Sequence, residues 1–131
     1  MFALDTNTLI YFFKGIGQVS THLLQTRPQD IAIPSIVLYE LEVGIAKSAS
    51  PQKRRQQLDA LLASLSILSF GSQEANRAAQ IRADLEWLGT SIGPYDALIA
   101  ATALANNATL VTHNTREFGR VKNLVVVDWY E

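Results

Sequence analysis

The feature that most constrains the fold is an alternation of short apolar runs with longer stretches of helical character. The short runs predict buried strands, and they comprise Phe2–Leu4, Ile31–Ile33, Ile67–Ser69, Thr109–Thr112 and Leu124–Val127. The longer stretches predict helices near Thr6–Phe13, Ser35–Lys47, Pro51–Leu65, Gln73–Leu88 and Pro94–Asn106. Strands separated by helices pair in parallel through right-handed crossovers. The pattern therefore predicts an α/β fold, with a short parallel β-sheet of about five strands sandwiched by helices.

Length and composition indicate one well-packed domain. A chain of 131 residues can build its own core, so we expect a single domain over residues 1–131. The apolar fraction of 48% and charged fraction of 18% are typical of a folded, soluble protein. No apolar run approaches the ~18 residues of a membrane span, and no secretory leader is recognisable, so we expect a cytoplasmic protein without a membrane partner. Because there is no cysteine, a metal site would need oxygen or histidine ligands.

The net charge of −1 argues against binding nucleic acid through bulk positive charge. An RNA or DNA substrate would have to be met by local basic clusters. Two such clusters are present, namely Lys47 with Lys53, Arg54 and Arg55, and Arg116 with Arg120 and Lys122. Solvated protein surfaces commonly carry such groups, and taken alone the clusters favour that simpler interpretation.

Three acids occupy positions where the predicted fold could bring them together. Asp5 directly follows the first strand, Glu40 interrupts an apolar helical segment, and Asp96 opens another helix. In open parallel sheets, ligands bind beyond the carboxyl ends of the strands, near the point where strand order reverses. Residues 112–114 follow the fourth strand and should reach the same edge. Acids that meet at this edge would suggest a cation site, since hard divalent cations prefer oxygen ligands.

Each acid also has a purely structural explanation. Asp5 suits the N-cap of the helix that follows it, and a carboxylate at Asp96, just after Pro94, is stabilised by the helix dipole by ~0.3–1 kcal/mol. Glu40 lies in an apolar stripe, but Glu42 is flanked in the same way. Periodicity cannot choose between these two glutamates. From the residues alone, the alternatives stay open.

Several motifs occur in a characteristic order. Leu4-Asp-Thr-Asn7 is followed by Pro34-Ser-Ile-Val-Leu-Tyr-Glu-Leu-Glu-Val-Gly44. The third block is Ile92-Gly-Pro-Tyr-Asp-Ala-Leu-Ile-Ala-Ala101, with Ala108-Thr-Leu-Val-Thr-His-Asn114 and Arg116-Glu-Phe118. Together these motifs resemble those of a PIN-domain ribonuclease, specifically the VapC-type toxins of bacterial type II toxin–antitoxin systems. The resemblance covers nearly the whole chain.

This resemblance implies a catalytic site. Its acidic triad would be Asp5, Glu40 and Asp96, which would also bind Mg²⁺ or Mn²⁺. Glu40 is preferred over Glu42 because the family acid directly precedes the Leu and stands four residues before the Gly. The implied activity is that of a metal-dependent endoribonuclease toxin, with tRNA among the candidate substrates. Supporting or phosphate-positioning roles are expected for Thr6, Asn7, Thr112, Asn114 and Glu117.

One departure from the family pattern concerns the fourth acid, which many PIN domains carry after the fourth strand. This chain has Thr112-His-Asn114 in that region. Asn114 offers a neutral oxygen, and Glu117 can compensate from the next turn, so whether one or two ions bind stays open.

The resemblance also implies two protein partners, a cognate VapB-type antitoxin and a second copy of the chain in a homodimer. An antitoxin segment would need apolar contacts on the toxin. The candidates are Phe12, Phe13, Leu38 and Tyr39. Ordinary core positions explain these residues equally well.

Two other functions remain to be separated from ribonuclease activity. A phosphoryl-transfer enzyme could use Asp5 as its nucleophile, but phosphatases of that kind need a second acid where this chain has Asn7. A non-catalytic binding module with the same fold is compatible with the missing fourth acid. Formation of an aspartyl-phosphate would indicate the first, and toxicity on expression that Asp5→Asn relieves would distinguish the ribonuclease from the second.

Overall fold

A single parallel sheet organises the protein, for which the computed structural model describes residues 1–131. Its strands are β1 (Phe2–Leu4), β2 (Ile31–Pro34), β3 (Ser66–Leu68), β4 (Thr109–Val111) and β5 (Val126–Val127). They lie in the order β3-β2-β1-β4-β5, and every neighbouring pair is parallel. Strand order reverses at β1, because β2 lies on one side of it and β4 on the other. The predicted α/β fold with five parallel strands is confirmed.

Seven α-helices flank this sheet. They are α1 (Thr6–Lys14), α2 (Val19–Gln25), α3 (Ser35–Ala46), α4 (Pro51–Leu62), α5 (Ser72–Trp87), α6 (Pro94–Ala105) and α7 (Thr115–Phe118). The sequence predicted all of them except α2 and α7. These two have seven and four residues, too few to repeat a 3.6-residue apolar pattern convincingly. None of the seven combines the length and apolar character that crossing a membrane would require.

The helix ends follow local chemistry. Helix α1 starts directly after Asp5, whose side chain caps it, and ends at Gly15, where φ is 68°. A residue with a side chain rarely adopts this left-handed conformation, so glycine suits the turn. Helix α6 carries Pro94 in its first turn, where the missing N–H costs no helical hydrogen bond.

The core is built around the central strands and α6. Leu4, Ile33 and Leu110 of the sheet are fully buried. On α6, the alanines Ala100 and Ala103 are also fully buried. Small side chains let a helix lie close to its neighbours, which brings the start of α6 toward the carboxyl edge of the sheet.

Strand register places two segments side by side at this edge. Leu4 of β1 pairs with Val111 of β4, so the two strands end level. The residues that come next remain connected to these strands. The Asp5 N–H donates to the Val111 carbonyl at 3.1 Å, and the Thr8 hydroxyl donates to the same carbonyl at 3.2 Å. The start of α1 is thereby fixed to the end of β4.

Candidate active site

Asp5 caps a helix and lies in the candidate pocket at the same time. Its Oδ1 atom accepts the Thr8 N–H at 2.9 Å, and the residue is only 5% exposed. Burial raises the pKa of Asp5, while hydrogen bonds with Thr112 and Thr8 partly oppose the shift. The capping and chemical explanations are therefore compatible, because the cap orients a carboxylate whose buried charge calls for a cation.

Glu40 and Glu42 differ sharply in their surroundings. Glu40 Oε1 accepts the Thr6 hydroxyl at 2.7 Å, and the charge of Glu40 acts on Asp5. Glu42 instead forms a bidentate ion pair with Arg55 of α4. The Arg55 hydrogen bonds lower the pKa of Glu42. Glu40 thus faces the pocket, whereas Glu42 is already neutralised.

Asp96 joins these acids from the first turn of α6. Burial is the largest cause that raises the pKa of Asp96, to about 7, followed by its contact with Glu117 and the charges of Glu117, Asp5 and Glu40. Mutual effects of this kind require short distances, since solvent screens charges that lie far apart. The structure therefore brings together four carboxylates from four separate parts of the chain.

Glu117 supplies the fourth carboxylate, from the short helix α7. Its Oε1 atom accepts the Gly93 N–H at 2.8 Å, and its Oε2 atom accepts the Asn114 side-chain amide at 2.7 Å. Burial alone would raise the pKa of Glu117, but hydrogen bonds with Gly93, Asp96 and Asn114 lower it overall. Asn114 therefore orients an acid instead of replacing one.

The remaining predicted residues divide into two groups. The Thr6 hydroxyl donates to Glu40, and the buried Thr112 hydroxyl accepts the Asn114 N–H at 3.0 Å while interacting with Asp5. These residues touch the acids or the groups that hold them. Asn7 is exposed and makes no hydrogen bond with the four acids, so its contact with a bound phosphate stays a prediction.

Gly93 is a site residue that sequence reasoning missed. In the sequence it stands only as part of the third motif block, with no role of its own, yet its N–H positions Glu117. A Cβ atom at Gly93 would lie 3.1 Å from Asp96 Oδ2 and 3.8 Å from Glu117 Oε1. The available signal was its place three residues before Asp96, where a side chain would meet the carboxylate.

The pocket has the chemistry of a site for a hard cation. None of the ion pairs in the protein includes Asp5, Glu40 or Asp96. The potential ligand atoms are carboxylate and hydroxyl oxygens, which suit Mg²⁺ and Mn²⁺. The raised pKa values of Asp5 and Asp96 also indicate a cation site, because both carboxylate charges are costly until positive charge is supplied.

A tighter cluster of potential ligands lies elsewhere. His113, Asp128 and Glu131 have donor atoms that all fall within 4.8 Å of one another, a spacing that the pocket acids do not reach as a set. The His113 Nδ1 atom is already paired with Asp128 Oδ2 at 2.9 Å, and His113 and Glu131 are exposed. The wider spacing in the pocket is compatible with a cation that is bound partly through water, as Mg²⁺ commonly is.

The apolar residues considered as partner contacts have mixed roles. Phe12, Phe13 and Leu38 are half-buried and pack against the core. Tyr39 is 50% exposed and meets the ring of Tyr95 edge-on at 5.8 Å. Three of the four residues therefore have a structural explanation, and Tyr39 is available for contact.

Comparison with known proteins extends over nearly the whole chain. The PIN domain family model matches residues 2–124. The chain is 39% identical over 131 residues to Ribonuclease VapC2 of Rickettsia felis, covering 98% of each protein. It is 35% identical over 128 residues to the tRNA(fMet)-specific endonuclease VapC of Salmonella typhimurium, covering 98% of this chain and 97% of that protein.

Solved structures show the same likeness in three dimensions. VapBC2 from Rickettsia felis, bound to a DNA fragment from its promoter, superposes with a TM-score of 0.90 at 38% identity, and the match covers 98% of each chain. DNA-bound VapBC from Salmonella typhimurium gives a TM-score of 0.91 at 35% identity, covering 98% of this chain and 97% of the other.

Proposed function

Because this chain belongs to the PIN-domain family, we propose that it is the endoribonuclease toxin of a VapBC-type toxin–antitoxin module and hydrolyses phosphodiester bonds in RNA. Its relatives are named ribonucleases and tRNA endonucleases at 30–39% identity across almost their full length. The observation that carries the proposal is the convergence of Asp5, Glu40, Asp96 and Glu117 at the strand-order reversal, with the first three outside any ion pair.

The proposed cofactor is Mg²⁺ or Mn²⁺. Asp5, Glu40 and Asp96 would hold it, in part through water, and Glu117 would complete the negative surface. A bound dication would supply positive charge to the attacked phosphate and help activate water. An acidic pocket without such a cation repels the RNA backbone, so cleavage should depend strictly on divalent ions.

The side chains divide the remaining work. Glu40, held by the Thr6 hydroxyl, would orient the attacking water and accept its proton. The Asp5 carboxylate is held by the Thr8 N–H, which reduces its freedom to rotate. Hydrolysis then forms a bond between the water oxygen and phosphorus and breaks the bond to one sugar oxygen, which takes up a proton.

The direct test is cleavage of RNA by purified protein. Wild-type protein should cut RNA with Mg²⁺ or Mn²⁺ and lose this activity in EDTA. Asp5→Asn should lower the rate by about a thousandfold or more, because removal of a metal ligand weakens both cation binding and charge stabilisation. Glu42→Gln is the matched control, since Glu42 is paired with Arg55 outside the pocket.

The same experiment separates the competing functions. Undiminished cleavage in EDTA would contradict the metal-dependent mechanism. RNA binding with no cleavage under any divalent ion would favour a binding module. Incubation with a phosphate donor should leave Asp5 unmodified, whereas an aspartyl-phosphate would favour a phosphoryl-transfer enzyme.

Substrate and partners are proposed at the level that relatives support. A tRNA is the proposed substrate class, because the relatives of Salmonella typhimurium and Shigella flexneri are named tRNA(fMet)-specific endonucleases. A VapB-type antitoxin is the proposed inhibitor, since similar chains are described within VapBC complexes. We also propose a homodimer. Sequencing of new RNA 5′ ends after a pulse of expression would identify the substrate, and molar-mass measurement would test the assembly.

A further inference from the structure

A second concave surface lies beside the acidic pocket. It is a groove of about 650 Å³ between α5 and the segment that follows α7. The residues that matter for its chemistry are Arg77, Asp84, Trp87, Leu88, Arg120 and Lys122. The reaction proposed above does not use any of them.

The groove displays the most exposed tryptophan of the protein. Trp87 is the last residue of α5 and is 90% exposed, and the neighbouring Leu88 is 68% exposed. The other tryptophan, Trp129, is 6% exposed and packs against the rings of Phe2 and His22. Large apolar side chains that are kept in water commonly mark a contact surface.

The charge of the groove is locally positive although the chain has a net charge of −1. Its lining contains three cations and one acid, namely Arg77, Arg120 and Lys122 against Asp84. None of the three cations takes part in an ion pair. An Arg120 Nη1 atom donates to the Ser91 carbonyl at 2.9 Å, which positions its guanidinium at the groove and leaves other N–H groups available.

Arg120 links the groove to the acidic pocket, because it lines the groove and its charge acts on Glu117. Arg120 follows Glu117 by three residues, and its charge helps lower the pKa of Glu117. Ser91, the acceptor for Arg120, is two residues from Gly93, which donates to Glu117. An RNA strand bound at the acidic pocket would therefore lie near Arg120, which lines the groove.

We propose that this groove is a second RNA-binding site, in which an unpaired nucleobase stacks on Trp87 while Arg77, Arg120 and Lys122 contact the adjoining phosphates. This inference rests on the proposed ribonuclease function and adds the requirement for a single-stranded segment next to the cleaved bond. Aromatic side chains beside cations are the usual means of binding unpaired RNA.

The composition of the groove favours RNA over a protein. Its charge is one-sided, with three cations to one acid, which suits a polyanion such as RNA. Its other polar groups are amides that can contact bases and sugars, namely Asn76, Gln80 and Asn123. A nucleic-acid backbone would be complementary to the cations, and its bases would cover Trp87.

The test measures binding in EDTA, so that cleavage cannot contribute. The probe is a fluorescein-labelled oligouridylate of about 16 nucleotides. Trp87→Ala should weaken binding about tenfold through loss of stacking, and Trp87→Phe should restore most of it. Lys122→Gln should weaken binding and make the salt dependence shallower by about one unit. The matched controls are Arg27→Gln and Leu24→Ala, which remove an exposed cation and an exposed apolar side chain elsewhere.

Intrinsic fluorescence gives a second readout. Because Trp129 is buried, added oligouridylate should quench mainly the emission of Trp87. The quenching should disappear in Trp87→Phe even if that variant binds normally. A duplex RNA of the same length should quench much less, since its bases are not free to stack on protein.

Several outcomes would overturn the groove proposal. They are unchanged RNA affinity in both Trp87→Ala and Lys122→Gln, equal weakening in the two control variants, or a change only in antitoxin binding or oligomeric mass. These results are distinguishable from failure of the ribonuclease assignment. Cleavage that depends on Asp5 but is unaffected by the groove variants would contradict the groove proposal alone. RNA binding that the groove variants weaken, without any metal-dependent cleavage, would contradict the ribonuclease assignment alone.

Discussion

Asp96 and Glu117 meet beside Gly93, so that carboxylates from two separate helices share one side of the acidic pocket. A side chain at Gly93 would begin 3.1 Å from Asp96 Oδ2 and 3.8 Å from Glu117 Oε1. Neighbouring acids at such a site titrate as a pair. Here the pKa of Asp96 is raised to about 7 and that of Glu117 is lowered. The pair is therefore suited to exchanging a proton for a cation.

Asp96 should make stability depend on pH in the metal-free protein. Its pKa is about 7 in the fold, against about 3.9 in an unfolded chain. The folded state binds more protons between these values, so the stabilisation from protonated Asp96 is complete below pH 4 and is lost as pH rises through 7. Asp96→Asn cannot ionise, so its stability relative to wild type should increase as pH rises from about 4 to about 7.

Urea unfolding of both proteins in EDTA would measure this gain. Since other acids titrate in both proteins, the difference between their unfolding free energies is the informative quantity. A difference that stays constant from pH 5 to pH 8 would contradict the raised pKa of Asp96.

Divalent cations should stabilise the protein through the acidic pocket. At a Mn²⁺ concentration about 100 times its Kd, binding contributes about 2.7 kcal/mol, which should raise Tm by roughly 5–10 °C for a domain of this size. Asp5→Asn should lose most of this increase. Thermal unfolding with and without EDTA provides the measurement, and an equal Mn²⁺ effect in both proteins would place the cation elsewhere.

The two glutamates of α3 should respond differently to the same substitution. Glu40→Gln should lower the cleavage rate by at least about a hundredfold, because a pocket carboxylate is lost. Glu42→Gln should cleave normally and cost less than about 1 kcal/mol, since it removes only a partly exposed ion pair with Arg55. Cleavage assays beside urea unfolding would check both effects. A severe loss of activity in Glu42→Gln alone would reverse the assignment.

Glu117 should matter more than Asn114. Glu117→Gln removes a pocket charge and should weaken Mn²⁺ binding about 10- to 100-fold, the range found for groups that support metal ligands. Asn114→Ala keeps that charge and the Gly93 hydrogen bond, so its effect should be smaller. Calorimetric titration with Mn²⁺ would rank the two variants, and a stronger effect of Asn114→Ala would argue that Asn114 contacts the ion.

Two glycine substitutions form a matched pair. Gly93→Ala should lower the cleavage rate by about tenfold or more, because its Cβ would crowd Asp96, and small displacements of catalytic groups are costly. Gly44→Ala meets open space in the last turn of α3. It should stabilise the helix by about 0.5–1 kcal/mol and cleave normally. Equal activity of the two variants would show that Gly93 has no positioning role.

The element pattern of this protein could be predicted because it depends on local rules. Apolar runs separated by helical periods indicate the five strands, and the signals at Asp5 and Pro94 mark where two helices start. The topology of parallel sheets then predicts that Asp5 and residues 112–114 lie near one another at the same edge. The helices α2 and α7 could not be predicted, because each is too short to show a repeated 3.6-residue apolar pattern.

The linear sequence determined which side chains were available. It also determined that those following the strands would lie together at the carboxyl edge of the sheet. Only the tertiary structure decided that Arg55 neutralises Glu42 while Glu40 stays in the pocket, and that Glu117 reaches Gly93. The reason is physical: the state of a carboxylate depends on burial and on charges brought close by folding, and neither quantity is encoded by its immediate neighbours in the chain.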